Sequence, residues 1–391
     1  MKGTMDLFLT GTTGFVGGEV LVELAARPEV NRIFCLVRAD SPEAGAARLR
    51  KVFALHNDPY DPARILPVVG DMADPDLTLK LSADKRLADV GFVLHAAAVT
   101  SFSRGQDNVI EKVNILGLKS LLSWAKTLKK LDVFAYVGTA TIRGKGVTRR
   151  VVGEDESPDP NAKHLVKYTH SKALGESMLK EYLPEDKILV IRPSIIMGDS
   201  RGVIPRSNII LWTMAAFNLL RMVPGNKDAK LDIIPVDYAA KALVAILFAK
   251  RNHRIYHISS GTNSFTTPRL LGEAITPLFD PEPPIVFVAE EMLDQMRNWA
   301  RNRLAPDSPL LAYKGHLDHW DNVLGGERGR IRIVIAGLEP YLHFMELEQL
   351  FDNSRLLADT SVGPAPAAHD YVPRGKEFLA VIDVFEGALH P

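Results

Sequence analysis

The sequence predicts an α/β fold: a doubly wound parallel sheet followed by a smaller, mostly helical C-terminal region. Three observations predict it. Short β-rich runs alternate with helical patterns through the first half, the runs are almost continuously apolar, and a glycine-rich turn joins the first run to the first helix. Regular alternation is what crossover helices on a parallel sheet require, and unbroken apolarity is what strands covered on both faces show.

The strand candidates in order are DLFLT (6–10), RIFCLV (32–37), RILPVV (64–69), GFVLHA (91–96), VFAYVG (133–138) and ILVIRP (188–193). Helical patterns fill 15–26, 42–55, 108–129 and 164–183 between them. After Pro193 comes an apolar helical stretch at 209–223, then a strand LDIIPV (231–236), a helix from Asp237 to about Lys250 and a strand RIYHIS (254–259). From 265 the pattern is mostly helical, with Pro-rich joints at 281–284 and 305–309, a loop at 361–373 and a final helix over 375–387.

The chain has 391 residues, 47 Lys plus Arg against 47 Asp plus Glu, and a hydrophobic fraction of 46%. That balance leaves no basic footprint for a nucleic acid partner. The single cysteine, Cys35, lies in the apolar run IFCLV; it excludes an intrachain disulfide and reads as a small core residue of a reducing, cytoplasmic setting. MKGTMDLFLT runs straight into the first strand without the apolar segment of a secretory signal. No run of 18 apolar residues supports a transmembrane segment, because Thr213, Asn218 and Arg221 interrupt 209–223. That stretch reads as a helix against the core or over a pocket, with a peripheral membrane contact as the other reading. His316 and His319 in HLDH stand three apart, but with no HExxH and no cysteine pair they read as packing or surface residues, not metal ligands.

The first strand ends in TGTTGFVG, which spaces Gly11, Gly14 and Gly17 by three and opens a helix. One glycine permits the tight turn, the next admits a pyrophosphate against the backbone, and the last lets helix and strand pack closely. Gly11, Thr12, Thr13, Gly14, Phe15, Val16 and Gly17 are therefore the expected phosphate cradle, below a helix N-terminus with unpaired N–H groups. This is the Rossmann-type context the motif needs. Where an acid would take a ribose 2′-hydroxyl, the second strand ends in Arg38, 21 residues after Gly17. A guanidinium suits a 2′-phosphate, with Arg48 assisting, so NADPH (NADP+) is expected over NADH; Asp40 nearby is the competing feature. Asp71 and Met72 follow the third strand beside the adenine, and Ala96, Ala97 and Ala98 follow the fourth, where small side chains let backbone line the cofactor. His95 reads as a packed, hydrogen-bonded histidine.

YTHSK places Tyr168 and Lys172 four apart, on one face of a helix. Such a pair alone also describes a snorkelling surface pair. A phenol ionises near ~10, and a neighbouring ammonium is expected to lower that value. The fifth strand ends in YVGTATIRG, so Thr139 stands at a strand's carboxyl end, where ligands of such sheets bind.

Together TGTTGFVG, GD (70–71), HAAA (95–98), NILG (114–117), GTA (138–140), YTHSK and RPSIIMG (192–198) resemble the extended short-chain dehydrogenase/reductases. LVRA (36–39), RPSIIMG and YHISSG (256–261) are most similar to their fatty acyl-CoA reductase and thioester reductase branch. The similarity extends over about 1–262; beyond it only YLHFMELEQLFDNSRL (341–356) is faintly like the C-terminal part of fatty acyl reductases. The resemblance implies an NADP-binding Rossmann domain over 1–200, to which 231–262 returns, and a substrate-binding or lid region over 201–230 and 263–391. It implies Tyr168 as general acid, Lys172 as its helper, Thr139 stabilising the oxyanion and Asn114 holding the site's geometry or a water. Pro193, Ser194 and Ile195 would flank the nicotinamide. The implied reaction is NADPH-dependent reduction of an acyl thioester, on CoA or an acyl carrier protein, to an aldehyde or onward to an alcohol. Arg143 departs from the family's frequent aromatic after GTA and is expected to reshape the nicotinamide side or bind an acidic substrate group.

Three other readings stay open. A secondary alcohol or hydroxysteroid-type dehydrogenase shares the scaffold. A nucleotide-sugar epimerase does too, though Arg38 opposes it, and Ala140 and Thr141 stand where a sugar dehydratase would place carboxylates. A non-catalytic NADP-sensing scaffold would be expected to have lost the Tyr-Lys pair.

Overall fold

Alternate residues of each strand feed two different cores, which is why the runs are apolar throughout. The computed structural model describes residues 4–159, 161–207, 210–278 and 282–389. Seven strands, β1 (Met5–Thr10), β2 (Val30–Val37), β3 (Ile65–Val69), β4 (Val90–His95), β5 (Val133–Val137), β6 (Ile188–Pro193) and β7 (Ile255–Ile258), pair in parallel in the order β7-β6-β5-β4-β1-β2-β3. On one face Leu7, Leu9, Ile33, Leu94, Ala135 and Ile191 pack with α1 (Phe15–Ala25), α2 (Pro42–Ala54) and a helix from later in the chain, Val236–Phe248. On the other, Phe8, Phe34, Val93, Phe134 and Val190 pack with α3 (Leu77–Ala83), α4 (Gly117–Ala125) and α5 (Lys167–Tyr182). A buried leucine or phenylalanine contributes about 1.5–3 kcal/mol over its exposed state, so a one-residue register slip in any central strand would disturb both cores. Crossing from β3 to β4 reverses the winding, and that reversal opens a crevice beyond the carboxyl ends of β1 and β4.

A third core is helical. After α6 (Trp212–Leu220) the chain returns to the sheet as α7 (Val236–Phe248) and leaves it again through α8 (Pro268–Ile275). Then α9 (Met292–Ala300), α10 (Lys314–Val323) and α11 (Gly329–Leu347) gather with α6 around Trp212, Trp299 and Trp320. One short parallel pair, Val151–Val152 with Leu350–Phe351, ties the helical part to the sheet part, while a second, Ile195–Ile196 with Ile233–Ile234, joins the segment after β6 to the one leading into α7. Among the described residues no helix is long and apolar enough to cross a membrane.

Several boundaries differ from expectation. The stretch 209–223 gives only Trp212–Leu220 as helix, because Arg221 takes a left-handed conformation (φ 55°) and the chain turns into the strand Met222–Pro224; residues 208–209 lie outside the described residues. Within LDIIPV only Ile233 and Ile234 pair as strand, and Asp232 instead turns its carboxylate to the backbone of Ser260 and Phe351. The helix expected over 375–387 is two pieces, Lys376–Leu379 and Val384–Leu389; Asp383 accepts from the amides of Phe385 and Glu386 and so starts the second. The helix expected over 108–129 contains a π-helical segment, Glu111–Leu116, before α4.

Candidate active site

The glycine turn is built as closely as its spacing implies. Gly11 has φ +77°, and a Cβ there would lie 2.8 Å from the carbonyl carbon of Ala96 and the amide of Ala97. At Gly17 a Cβ would lie 2.1 Å from the Gly11 carbonyl oxygen, so α1 packs on the turn only through glycine. Gly14 precedes α1 with no side-chain cap on the helix amides, and the first turn carries no acid. An uncapped N-terminus concentrates partial positive charge, so this open cradle fits a dinucleotide pyrophosphate. Gly11, Gly14, Phe15, Val16 and Gly17 line the cavity that continues from it. Thr12 instead is buried and donates to the Leu36 carbonyl at 3.3 Å, fastening the turn to β2.

At the carboxyl end of β2, Arg48 reaches back from α2 to the Arg38 carbonyl and, at 3.4 Å, to the Thr13 hydroxyl. Arg38 and Asp40 are both exposed there. Asp71 and Met72 do not line the cavity. Asp71 accepts from the Ala73 amide at 2.9 Å, closing its own turn, and Met72 is buried with its carbonyl against Gly117, where a Cβ would lie 2.3 Å away. Ala96, Ala97 and Ala98 do line it. His95 is buried and shares a 2.8 Å hydrogen bond with the Thr10 hydroxyl. Burial holds it neutral, its pKa pushed down to about 3.

The cavity holds about 520 Å3 and is walled by Thr139, Tyr168, Lys172, Pro193, Ser194 and Ile195 among others. α5 reaches it because the helix lies hard on β5: a Cβ on Gly175 would be 2.4 Å from the Tyr136 hydroxyl, which donates to the Lys172 carbonyl at 3.1 Å. Buried Arg192 on β6 adds a second tie, donating to Glu176 at 3.0 Å. Lys172 directs its ammonium to the Val137 carbonyl at 2.6 Å and over the Tyr136 ring at 5.1 Å. Burial pushes the lysine down to about 7 and the Tyr168 phenol up to about 12. The expectation that the ammonium lowers the phenol is therefore corrected. Desolvation dominates both groups, and the lysine is engaged with the backbone of β5. Thr139 is buried at the cavity wall, its hydroxyl accepting from the Thr141 amide at 3.4 Å.

Asn114 does not face the cavity. Buried in the π-helical segment, it accepts from the Val99 amide at 2.8 Å and donates to the Val99 carbonyl at 3.0 Å and the Ser171 hydroxyl at 2.9 Å. It thereby clamps the loop after β4 to α5. Arg143 also faces elsewhere, donating to the Ser157 carbonyl at 2.8 Å and pairing with Glu156 at 3.4 Å, so the nicotinamide-side role expected for it is corrected. Cys35 is fully buried, and burial pushes its thiol up. His316 and His319 each meet a backbone carbonyl, of Pro284 at 2.9 Å and Leu219 at 3.1 Å.

Sequence reasoning missed much of the far wall. Phe102 stacks 5.1 Å from Phe344 and 6.4 Å from Tyr168, with Tyr341 4.9 Å away. Leu338, Tyr341, Leu342 and Met345 line the cavity from α11, and Met214 and Phe217 from α6. The signal was present as apolar spacing of three and four through 338–345, though only the structure shows what that stripe faces.

The sequence model of an NAD-binding family described as male sterility protein matches residues 9–243. A linear gramicidin synthase of Brevibacillus parabrevis is 30% identical over 243 residues, covering 60% of this chain and 5% of that protein. Fatty acyl-CoA reductase 1 of Gallus gallus is 25% identical over 307 residues, 66% of this chain and 59% of the reductase. The chain thus spans less than two thirds of the length of these relatives. Among solved structures, the terminal R domain from the myxalamid PKS-NRPS biosynthetic pathway superposes with a TM-score of 0.73 at 21% identity, over 97% of this chain and 92% of that one, a likeness of fold.

Proposed function

The chain belongs to the male sterility protein family, within the fatty acyl reductase branch of the extended short-chain dehydrogenase/reductases, and on that premise we propose that it reduces acyl thioesters with NADPH. The observation that carries this reading is the convergence of Thr139, Tyr168 and Lys172 on one mostly apolar cavity continuous with the glycine cradle. Names of relatives support it from two sides, one a fatty acyl-CoA reductase and one a gramicidin synthase. Arg38 and Arg48 at the end of β2 support NADPH over NADH, since a guanidinium is matched to a phosphate and not to a bare hydroxyl.

A reduced nicotinamide supplies the hydride when bound. The residues of the chain do the rest. Gly11 to Gly17 hold the pyrophosphate, and Pro193 to Ile195 border the nicotinamide side. The Thr139 and Tyr168 hydroxyls donate to the thioester oxygen as charge gathers on it, each well-placed donor contributing about 3 kcal/mol. Tyr168, whose pKa burial raises to about 12, stays an O–H donor at neutral pH and gives its proton to that oxygen. Collapse of the resulting hemithioacetal breaks the C–S bond and yields an aldehyde and a thiol. Lys172, anchored to the Val137 carbonyl one helical turn from Tyr168, offers its remaining ammonium hydrogens to the cofactor ribose. The apolar wall from α6 and α11 takes the acyl chain, which makes 201–230 and 263–391 the acyl-side region and 1–200 with 231–262 the cofactor-side region.

The test is NADPH oxidation by the purified chain across acyl-CoAs of graded length, with product identification. Aldehyde or alcohol formation with a chain-length optimum is the expected result. Oxidation of secondary alcohols without any thioester reduction would replace this reading with the dehydrogenase one.

A further inference from the structure

A second cavity, about 1160 Å3, opens beside the first and differs from it in chemistry. Phe102 lines both. α11 is their shared partition: Leu338 and Tyr341 face the apolar cavity, while Arg332 and His343 face the second. The second is cationic. Arg104, Lys167, Arg297, Arg301 and Arg332 line it against only Asp107 and Glu339. Lys167 is neutralised by Glu111 at 2.9 Å and Arg297 by Glu339 at 2.7 Å. The guanidinium groups of Arg104, Arg301 and Arg332 have no ion-pair or hydrogen-bond partner among the described residues. In a chain whose charges balance, 47 against 47, a concave surface with three unpaired guanidiniums is a local excess that selects an anion.

Resting on the acyl thioester reading, we propose that the second cavity binds the phosphorylated handle of the substrate: the 3′-phosphoadenosine diphosphate of coenzyme A. Pantetheine then passes Phe102 and delivers the thioester to the apolar cavity. Phosphates on the handle meet Arg301 and Arg332 as forked, charge-assisted pairs. The volume suits a nucleotide-sized ligand in a concave site, whereas a carrier protein docks through a broad face of about 800 Å2 per partner. Phe102 marks the threshold between the charged handle and the greasy chain.

The test compares a fatty acyl-CoA with the matching S-acyl-pantetheine, which keeps the thioester and lacks every phosphate. It uses the full chain and its Arg301→Ala/Arg332→Ala variant, both residues being exposed and free of packing roles. The expected result is a KM for acyl-CoA raised roughly tenfold at unchanged kcat, with the KM for acyl-pantetheine moved less than about twofold. A rise shared by both substrates overturns the proposal. So does a carrier-bound acyl group whose KM is lower than that of acyl-CoA and is the one the substitution raises. Calorimetry with adenosine 3′,5′-bisphosphate at saturating NADP+ reads the site without turnover. Binding lost in the variant supports the assignment, and binding equal in both proteins overturns it. If no thioester is reduced by the unsubstituted chain, the activity reading fails while the calorimetric result still decides the anion site.

Discussion

Lys172 gives its ammonium to the carbonyl of Val137 at 2.6 Å, so the lysine one helical turn from Tyr168 is anchored to the end of β5. Burial lowers it to about 7 from the ordinary 10.5, which places its loss of charge within the working range of pH. If the charged form serves the cofactor ribose, kcat/KM for NADPH should fall as pH rises through about 7. Stability should move the other way. The folded value lies below the unfolded one, so the buried ammonium costs stability below pH 7, and that cost is relieved as pH rises toward 10.5. A pH–rate profile that stays flat from 6 to 9 would remove Lys172 from the reaction.

Tyr168→Phe keeps the ring against Phe102, 6.4 Å away between centroids, and removes only the O–H. Turnover of acyl-CoA should fall by about 10²–10⁴, the span of a lost general acid. NADPH affinity, followed by fluorescence titration, should hold within about threefold. Because burial raises the phenol to about 12, its own ionisation should leave no mark on the profile below pH 9. Equal turnover in the variant would end the catalytic assignment.

The parts of this molecule that were legible in the sequence are those governed by local chemistry. Gly11 and Gly17 announced a turn because only glycine permits it, and the 2.1 Å clash at Gly17 is the physical form of that signal. β1, β4 and β5 were legible because strands buried on both faces are almost continuously apolar, and β6 was legible although it carries the buried Arg192, whose charge Glu176 meets. What was not legible depends on tertiary placement. Asn114 faces Ser171 and Val99 rather than the cavity, a geometry fixed by the π-helical segment that residue types do not announce. Arg143 is drawn away by Glu156 and the Ser157 carbonyl, partners that only the folded loop provides. The pKa values of Tyr168 and Lys172 escape a reading from spacing, which reports proximity and says nothing of desolvation.

Asn114→Ala should act through positioning. The substitution strips the Val99 amide and carbonyl and the Ser171 hydroxyl of a buried partner. A cost of about 1–3 kcal/mol in denaturant unfolding is expected for groups left unpaired. Val99 to Phe102 line the cavity, so a loosened loop should lower kcat more than it changes the KM for NADPH. Loss of stability with kcat intact would make Asn114 a purely architectural residue.

Arg38→Ala tests the cofactor preference. Arg38 is exposed, so folding should be unaffected within about 0.5 kcal/mol. A lost charge-assisted phosphate contact is worth about 1.5–3 kcal/mol, or roughly ten- to a hundredfold in the KM for NADPH. The KM for NADH should scarcely move, since its ribose carries no phosphate. A rise common to both cofactors would show that Arg38 supports the turn and does not read the 2′-phosphate.

Glu154 ties the C-terminal segment to the sheet. It is buried, accepts from the amide of His257 at 2.7 Å and of Arg355 at 3.1 Å, and has the Arg355 guanidinium 3.7 Å away and Asp352 as a like-charged neighbour. Burial outweighs the two amides and lifts its pKa from 4.5 to about 7. A folded value above the unfolded one means that its contribution to stability is fully present below pH 4.5 and is lost as pH rises through 7. Glu154→Gln holds the neutral state at every pH. Its melting temperature relative to the unsubstituted chain should therefore climb between pH 4.5 and 8, in the glutamine's favour, while other titrating groups cancel in the difference. Parallel melting curves across that range would show that Glu154 titrates as an ordinary carboxylate and that the tie to Arg355 is not proton-sensitive.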